Sequence, residues 1–235
     1  MALALSTWSA PGWTAAEVLE ACTLKGFAGV ELASLPDAPF VLAEAARWAE
    51  AAGSRGVRLV GIRPGTLAES FSDAAAVASA RLGVPILAPA EAGTAALTEA
   101  AGRFARAGGR LLADAAGTLE GAEALARLAA DLPALGVCWE VAPEAGAAAS
   151  AGDFIRVLQP VLGCVRLRGG GPEVMEPSTA GTGEIMLRLT LARFAGPVVI
   201  VPSAPRYEAT WKRWLGRRAG SGCGTRHGQI PILAK

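Results

Sequence analysis

Eight short apolar runs alternate along this chain with eight Ala/Leu/Glu/Arg-rich segments of helical period. The runs are LALSTW (3–8), GVELA (29–33), VRLVGI (57–62), VPILAP (84–89), RLLAD (110–114), GVCWEV (136–141), VRLR (165–168) and PVVIV (197–201). They are apolar on both faces, the pattern of strands in a parallel sheet covered on both sides. The segments 14–25, 39–53, 71–82, 94–107, 118–131, 150–162, 183–194 and 207–218 have the length of crossover helices. The first opens on Thr14-Ala15-Ala16-Glu17, a capping box, and stops at Gly26. Eight βα units are the number that closes a barrel, whereas an open doubly wound sheet usually carries fewer strands. The expected fold is therefore α/β, a single-domain (β/α)8 TIM barrel over residues 1–218.

Composition narrows the function classes. With 235 residues, 52% of them hydrophobic and 18% charged, the chain has ample material for one core and too little charge for disorder. A net charge of +1 provides no global field to attract nucleic acid or an anionic membrane. No uncharged apolar run approaches the ~20 residues of a membrane helix, and the N-terminus lacks the basic start of a signal peptide. Cys22, Cys138, Cys164 and Cys223 form no CxxC pair, so a reducing cytoplasm is expected. Residues 219–235, AGSGCGTRHGQIPILAK, are rich in Gly and basic residues without an acid, and read as a C-terminal tail. Cys223 and His227 there offer two metal ligands, which is not a site.

Barrel chemistry sits at the C-terminal ends of the strands. Those ends carry Trp8, Glu31, Arg63, Asp114, Glu140, Arg166 and Arg168, with Ser203 just beyond the last. Three acids and three arginines thus crowd one face of a chain otherwise poor in charge. In CVRLRGGGP (164–172) strand alternation points Arg166 and Arg168 the same way, and buried guanidiniums need an anion. Two readings follow. In one, Arg166, Arg168, Arg63, Glu31 and Trp8 bind a small anionic or polyhydroxylated ligand while Glu140 or Asp114 moves protons. In the other, Arg166 and Arg168 pair with Asp114 and Glu140, closing the mouth of a catalytically silent binding or partner subunit.

The order of these segments resembles the xylose-isomerase-like TIM-barrel superfamily, which includes sugar phosphate isomerases and epimerases. STWSAPGWTAAEVLEACTLKGFAGVEL (6–32) resembles its opening strand, first helix and Gly-hydrophobic-Glu-Leu signature. GRLLAD (109–114), LGVCWEVAP (135–143), CVRLRGG (164–170), GTGEI (181–185) and GPVVIV (196–201) are similar to later strands and turns. The resemblance implies isomerase or epimerase chemistry on a sugar, sugar phosphate or keto acid. It also implies a divalent metal (Mn, Mg or Zn) with Asp114 and Glu140 as its remaining ligands. Arg166 stands where the resemblance expects a His ligand, Pro143 replaces a neighbouring His, and Val201 replaces a Glu. That departure implies a degenerate metal site, with Arg166 supplying positive charge in its place. No P-loop or Rossmann fingerprint points to a nucleotide cofactor.

Other residues carry weaker signals. Trp8, Trp13 and Phe71 could stack on a sugar ring, but aromatics near strand ends are more often packing. Trp48, Trp211 and Trp214 read as packing or contacts of a homo-oligomer. Gly169-Gly170-Gly171 could cradle a phosphate or simply turn. Ser203 has no histidine nearby to activate it.

Overall fold

The computed structural model describes residues 1–9, 13–34, 42–89, 92–115, 117–141, 148–169 and 180–202. Eight strands close into one parallel barrel in sequence order: β1 (Ala2–Ser6), β2 (Gly29–Ala33), β3 (Arg58–Arg63), β4 (Ile86–Ala88), β5 (Leu111–Asp114), β6 (Leu135–Val141), β7 (Leu162–Gly169) and β8 (Pro197–Pro202). The helices among the described residues are α1 (Ala15–Lys25), α2 (Ala45–Gly53), α3 (Leu67–Ser70), α4 (Asp73–Leu82), α5 (Thr94–Ala107), α6 (Leu119–Asp131), α7 (Ala148–Leu158) and α8 (Ala180–Leu191). The expected α/β barrel is the observed one. The segment 207–218 and the tail 219–235, with Cys223 and His227, lie outside the described residues. None of the described helices is long and apolar enough to cross a membrane.

Local chemistry sets the element ends. Thr14 accepts the Glu17 N–H at 3.3 Å while Glu17 accepts the Thr14 N–H at 2.7 Å, and α1 closes on Gly26 at φ 73°. The expected helix 71–82 begins at Asp73, because Ser72 caps it by accepting the Ala75 N–H at 3.1 Å. The first strand also ends earlier than expected, at Ser6, and Trp8 falls on a 3-10 turn, Thr7–Ser9. There Thr7 Oγ1 accepts the Ala33 N–H at 2.9 Å and donates to the Ala33 carbonyl at 3.2 Å. The side chain satisfies groups at the strand end that a continued ladder would have paired.

The apolar runs divide as strand alternation requires. Val30, Ile62, Ile86, Leu111, Val137, Val165 and Ile200 face outward into the core shared with the helices. Ala4, Leu87, Leu112, Cys138, Cys164 and Val199 fill the barrel interior. A register shift between β6 and β7 pairs Val137 with Leu162 and then Cys138 with Cys164, skipping Gly163. A Cβ on Gly163 would stand 2.7 Å from the Leu112 Cδ2, so glycine is what lets this bulge form over a packed leucine. The bulge sets the phase of β7 and turns Arg166 and Arg168 inward on the same side as Cys164.

Candidate functional site

Above the interior apolar layer lies a layer of charge. Register places Ser6 beside Glu31, and Glu140 beside Arg166. Arg166 is 1% exposed, and Glu31, three strands away around the barrel, is wholly buried. The guanidinium grips Glu31 with two bonds, Nε to Oε2 at 3.0 Å and Nη2 to Oε1 at 3.1 Å. Its Nη1 pairs with Glu140 Oε2. Ser6 Oγ donates a further bond to Glu31 Oε1 at 2.8 Å. Burial works against the Arg166 charge, but Glu31 and Glu140 outweigh it and raise its pKa, so the cation is permanent.

A second tier sits around this clasp. Arg168 Nη2 pairs with Glu140 Oε1, and the Arg168 side chain is 45% exposed. Arg63 Nη1 lies 3.5 Å from Asp114 Oδ2 and 3.8 Å from Glu140 Oε2. Glu140 is thus shared by three guanidiniums, whereas Asp114 has one distant partner. The Asp114 side chain is only 3% exposed, and its Oδ1 has no hydrogen-bond partner among the described residues. Burial, reinforced by Glu140, pushes its pKa up to about 6, with Arg63 and then Arg166 pulling the other way. A carboxyl group poised there can take or release a proton near neutrality. Beneath it the Cys138 thiol lies beside Cys164; the hydrogen bond between them and burial raise its pKa, so it stays neutral.

The strand-end residues singled out in the sequence therefore converge: Glu31, Arg63, Asp114, Glu140, Arg166 and Arg168 form one network. The expected pairing is corrected in one respect. Arg166 bonds Glu31 and Glu140, while the direct partner of Asp114 is Arg63. Trp8 stands at the rim, 37% exposed, with its backbone N–H donating to Ser6 Oγ at 3.3 Å. Trp13, Phe71 and Trp48 pack against the helix–sheet core instead. Ser203, Gly170, Gly171, Trp211, Trp214 and Pro143 lie outside the described residues. Ser6 is the participant that sequence reading passed over; its signal was a lone hydroxyl two positions after Ala4 on an apolar strand. A cavity of about 400 Å³ opens at the opposite, N-terminal end of the barrel, between Val60, Arg110 and Leu112. It contains none of these acids.

The implied divalent cation does not fit these donors. Both Glu31 oxygens bond Arg166, both Glu140 oxygens meet arginines, and Arg63 flanks Asp114. A cation entering this layer would meet three guanidiniums before it met an available carboxylate pair. Among the described residues, no group of three or more His, Cys, Asp or Glu is placed to hold a metal.

No family model matches the sequence, and no curated protein matches it. Solved structures do. The 3-keto-D-glucoside 4-epimerase YcjR of E. coli superimposes with a TM-score of 0.66 at 14% identity, over 92% of this chain and 98% of that one. A xylose isomerase domain protein of Planctomyces limnophilus gives 0.55 at 12% identity, over 84% and 88%. Endonuclease IV of Thermus thermophilus gives 0.61 at 19% identity, over 92% and 97%. Identities this low speak for the fold, and a fold hosts more than one chemistry. The chain shares with these structures a closed eight-stranded parallel barrel, the fold that the order of its segments implied.

Proposed function

We propose that this protein is an isomerase- or epimerase-like barrel acting on a small polyhydroxylated carbonyl compound, with Asp114 as the proton carrier and guanidiniums in place of a metal. The observation that carries this reading is Asp114 itself: a buried carboxyl with one unpartnered oxygen and a pKa of about 6, beside Arg63. In the step this geometry suits, a C–H bond next to the substrate carbonyl breaks and its proton moves to Asp114. The bonding pair enters a C=C enediolate bond, and the displaced carbonyl pair rests on oxygen facing Arg63 or Arg168. Returning the proton to either carbon, or to the other face, completes isomerisation or epimerisation. Arg166, fully engaged by Glu31 and Glu140, holds the floor of the site and takes no part in proton transfer.

Deuterium exchange tests it. The full chain is incubated in D₂O with ketoses, aldoses and small keto acids, and label at the carbon beside the carbonyl is followed by NMR. Exchange that falls about 100-fold or more in Asp114→Asn is expected from loss of a general base. Exchange unchanged by Asp114→Asn overturns the assignment. No exchange with any compound favours the second reading, a silent barrel. That reading draws on the saturation of Glu31 and Glu140 by Arg166.

A further inference from the structure

We infer a second ligand site at the N-terminal mouth of the barrel, where Arg110 takes the carboxylate of a small molecule with an apolar body. It stands apart from the strand-end network and does not depend on the proton-carrier reading.

The cavity there exists because the lowest interior layer of the barrel is short of side chains. Strand alternation turns Gly29, Gly136 and Pro197 inward, two residues before Glu31, Cys138 and Val199. A Cβ on Gly29 would stand 2.5 Å from Val60 Cγ1, and one on Gly136 would stand 2.8 Å from Leu112 Cδ2. Val60 and Leu112 occupy the space over these glycines, and about 400 Å³ stays open below them. Val60, Val84, Pro85, Leu112 and Pro197 give it apolar walls, and its size is that of a small-molecule site.

The polar groups choose the ligand. The Ser79 hydroxyl is already engaged, donating to the Val84 carbonyl at 2.7 Å and accepting the Arg110 N–H at 2.9 Å. The N–H groups of Gly108 and Gly109 are bonded to the Ala105 and Phe104 carbonyls. The remaining side-chain donor is the Arg110 guanidinium, which lines the cavity with Nη2 3.3 Å from where a Gly136 Cβ would stand. Among the described residues it has no ion-pair or hydrogen-bond partner, and no carboxylate lines the cavity. Arg58, Arg81, Arg106 and Arg193 are exposed at the same end and form no ion pair among the described residues, against Glu50 and Asp131 in the last helical turns. Arg81 and Arg106 complement helix C-termini, but Arg58, Arg110 and Arg193 lie outside helices. At the opposite mouth Arg63, Arg166 and Arg168 all meet carboxylates. The N-terminal mouth therefore offers cations and apolar walls without an anion of its own. A carboxylate fits the Arg110 fork, and an apolar body fits Val60, Val84 and Leu112. A sugar or sugar phosphate would set hydroxyls against walls that offer them no bond.

The test is calorimetric titration of the full chain with hexanoate and phenylacetate, against hexanamide, phenylacetamide and D-glucose 6-phosphate. At least one carboxylate is expected to bind tenfold or more tighter than both its amide and the sugar phosphate. Arg110→Gln, with the circular dichroism of the parent, should lose that preference, and Arg168→Gln should keep it. Arg110→Lys keeps the charge without the fork and should bind the carboxylate more weakly than the parent. Amides binding as tightly as the acids, the sugar phosphate binding tighter, or no binding by either carboxylate overturns the inference. Binding unchanged in both Arg110 variants overturns it as well. Loss of the preference in Arg168→Gln instead would place the carboxylate at the strand-end mouth and overturn it too. None of these outcomes bears on deuterium exchange through Asp114.

Discussion

Arg166 is the residue on which the interior depends. Its guanidinium compensates two carboxylates in a layer where water is excluded, so removing it leaves a wholly buried Glu31 without a counter-charge. Breaking a buried pair from one side typically costs about 3–5 kcal/mol. Arg166→Met should lower the urea midpoint accordingly, and Arg166→Met/Glu31→Gln should recover part of the loss. A single variant as stable as the parent would show that the clasp does not hold the fold. Asp114 makes the opposite kind of prediction. Its folded pKa of about 6 lies above the unfolded value of about 3.9, so the folded state holds the proton more tightly. Its favourable contribution is fully present below about pH 4 and is lost as pH rises through about 6, an effect on the order of 3 kcal/mol. The stability of the parent relative to Asp114→Asn should therefore fall between about pH 4 and about pH 7.5. Urea unfolding of both proteins across that range checks it, and parallel curves would contradict a raised pKa.

At the scale of the element, the sequence was most readable where alternation was strict. GVELA was expected as a strand over 29–33, which is β2 to the residue, and 94–107 was expected as the helix that is α5. The seventh strand was harder, since it begins at Leu162 rather than Val165, and the bulge at Gly163 breaks the period of two. A glycine requirement that no pattern announces lies just before β8. A Cβ on Gly196 would run into the Phe194 ring and lie 2.7 Å from the Gly163 carbonyl oxygen. Gly196→Ala should therefore cost about 1–3 kcal/mol through backbone displacement. Chemical denaturation of that variant, with its pH dependence left unchanged, separates this packing effect from the charged layer. Thr7 closing over Ala33, which shortened the first strand, was equally invisible, because side-chain capping of a strand end leaves no period to read.

For the whole molecule, eight repeated units implied closure and closure implied a polar ring at the strand ends, so the members of the site were legible. Their pairing was not. Arg166 and Glu31 are 135 residues apart and on non-adjacent strands, and only the narrow bore of a closed barrel brings them within 3.0 Å. Alternation tells which face a side chain takes, but not which carboxylate it meets across the interior. That pairing is what separates a metal site from a guanidinium site. The direct measurement is calorimetric titration of Mn²⁺ into the full chain after chelation and dialysis. With Arg166 clasping Glu31 and Glu140, no stoichiometric binding heat is expected, and chelation should leave the melting temperature unchanged. Tight one-to-one binding of Mn²⁺ would mean that the carboxylates are open to a metal and that the clasp is not the state of the protein in solution.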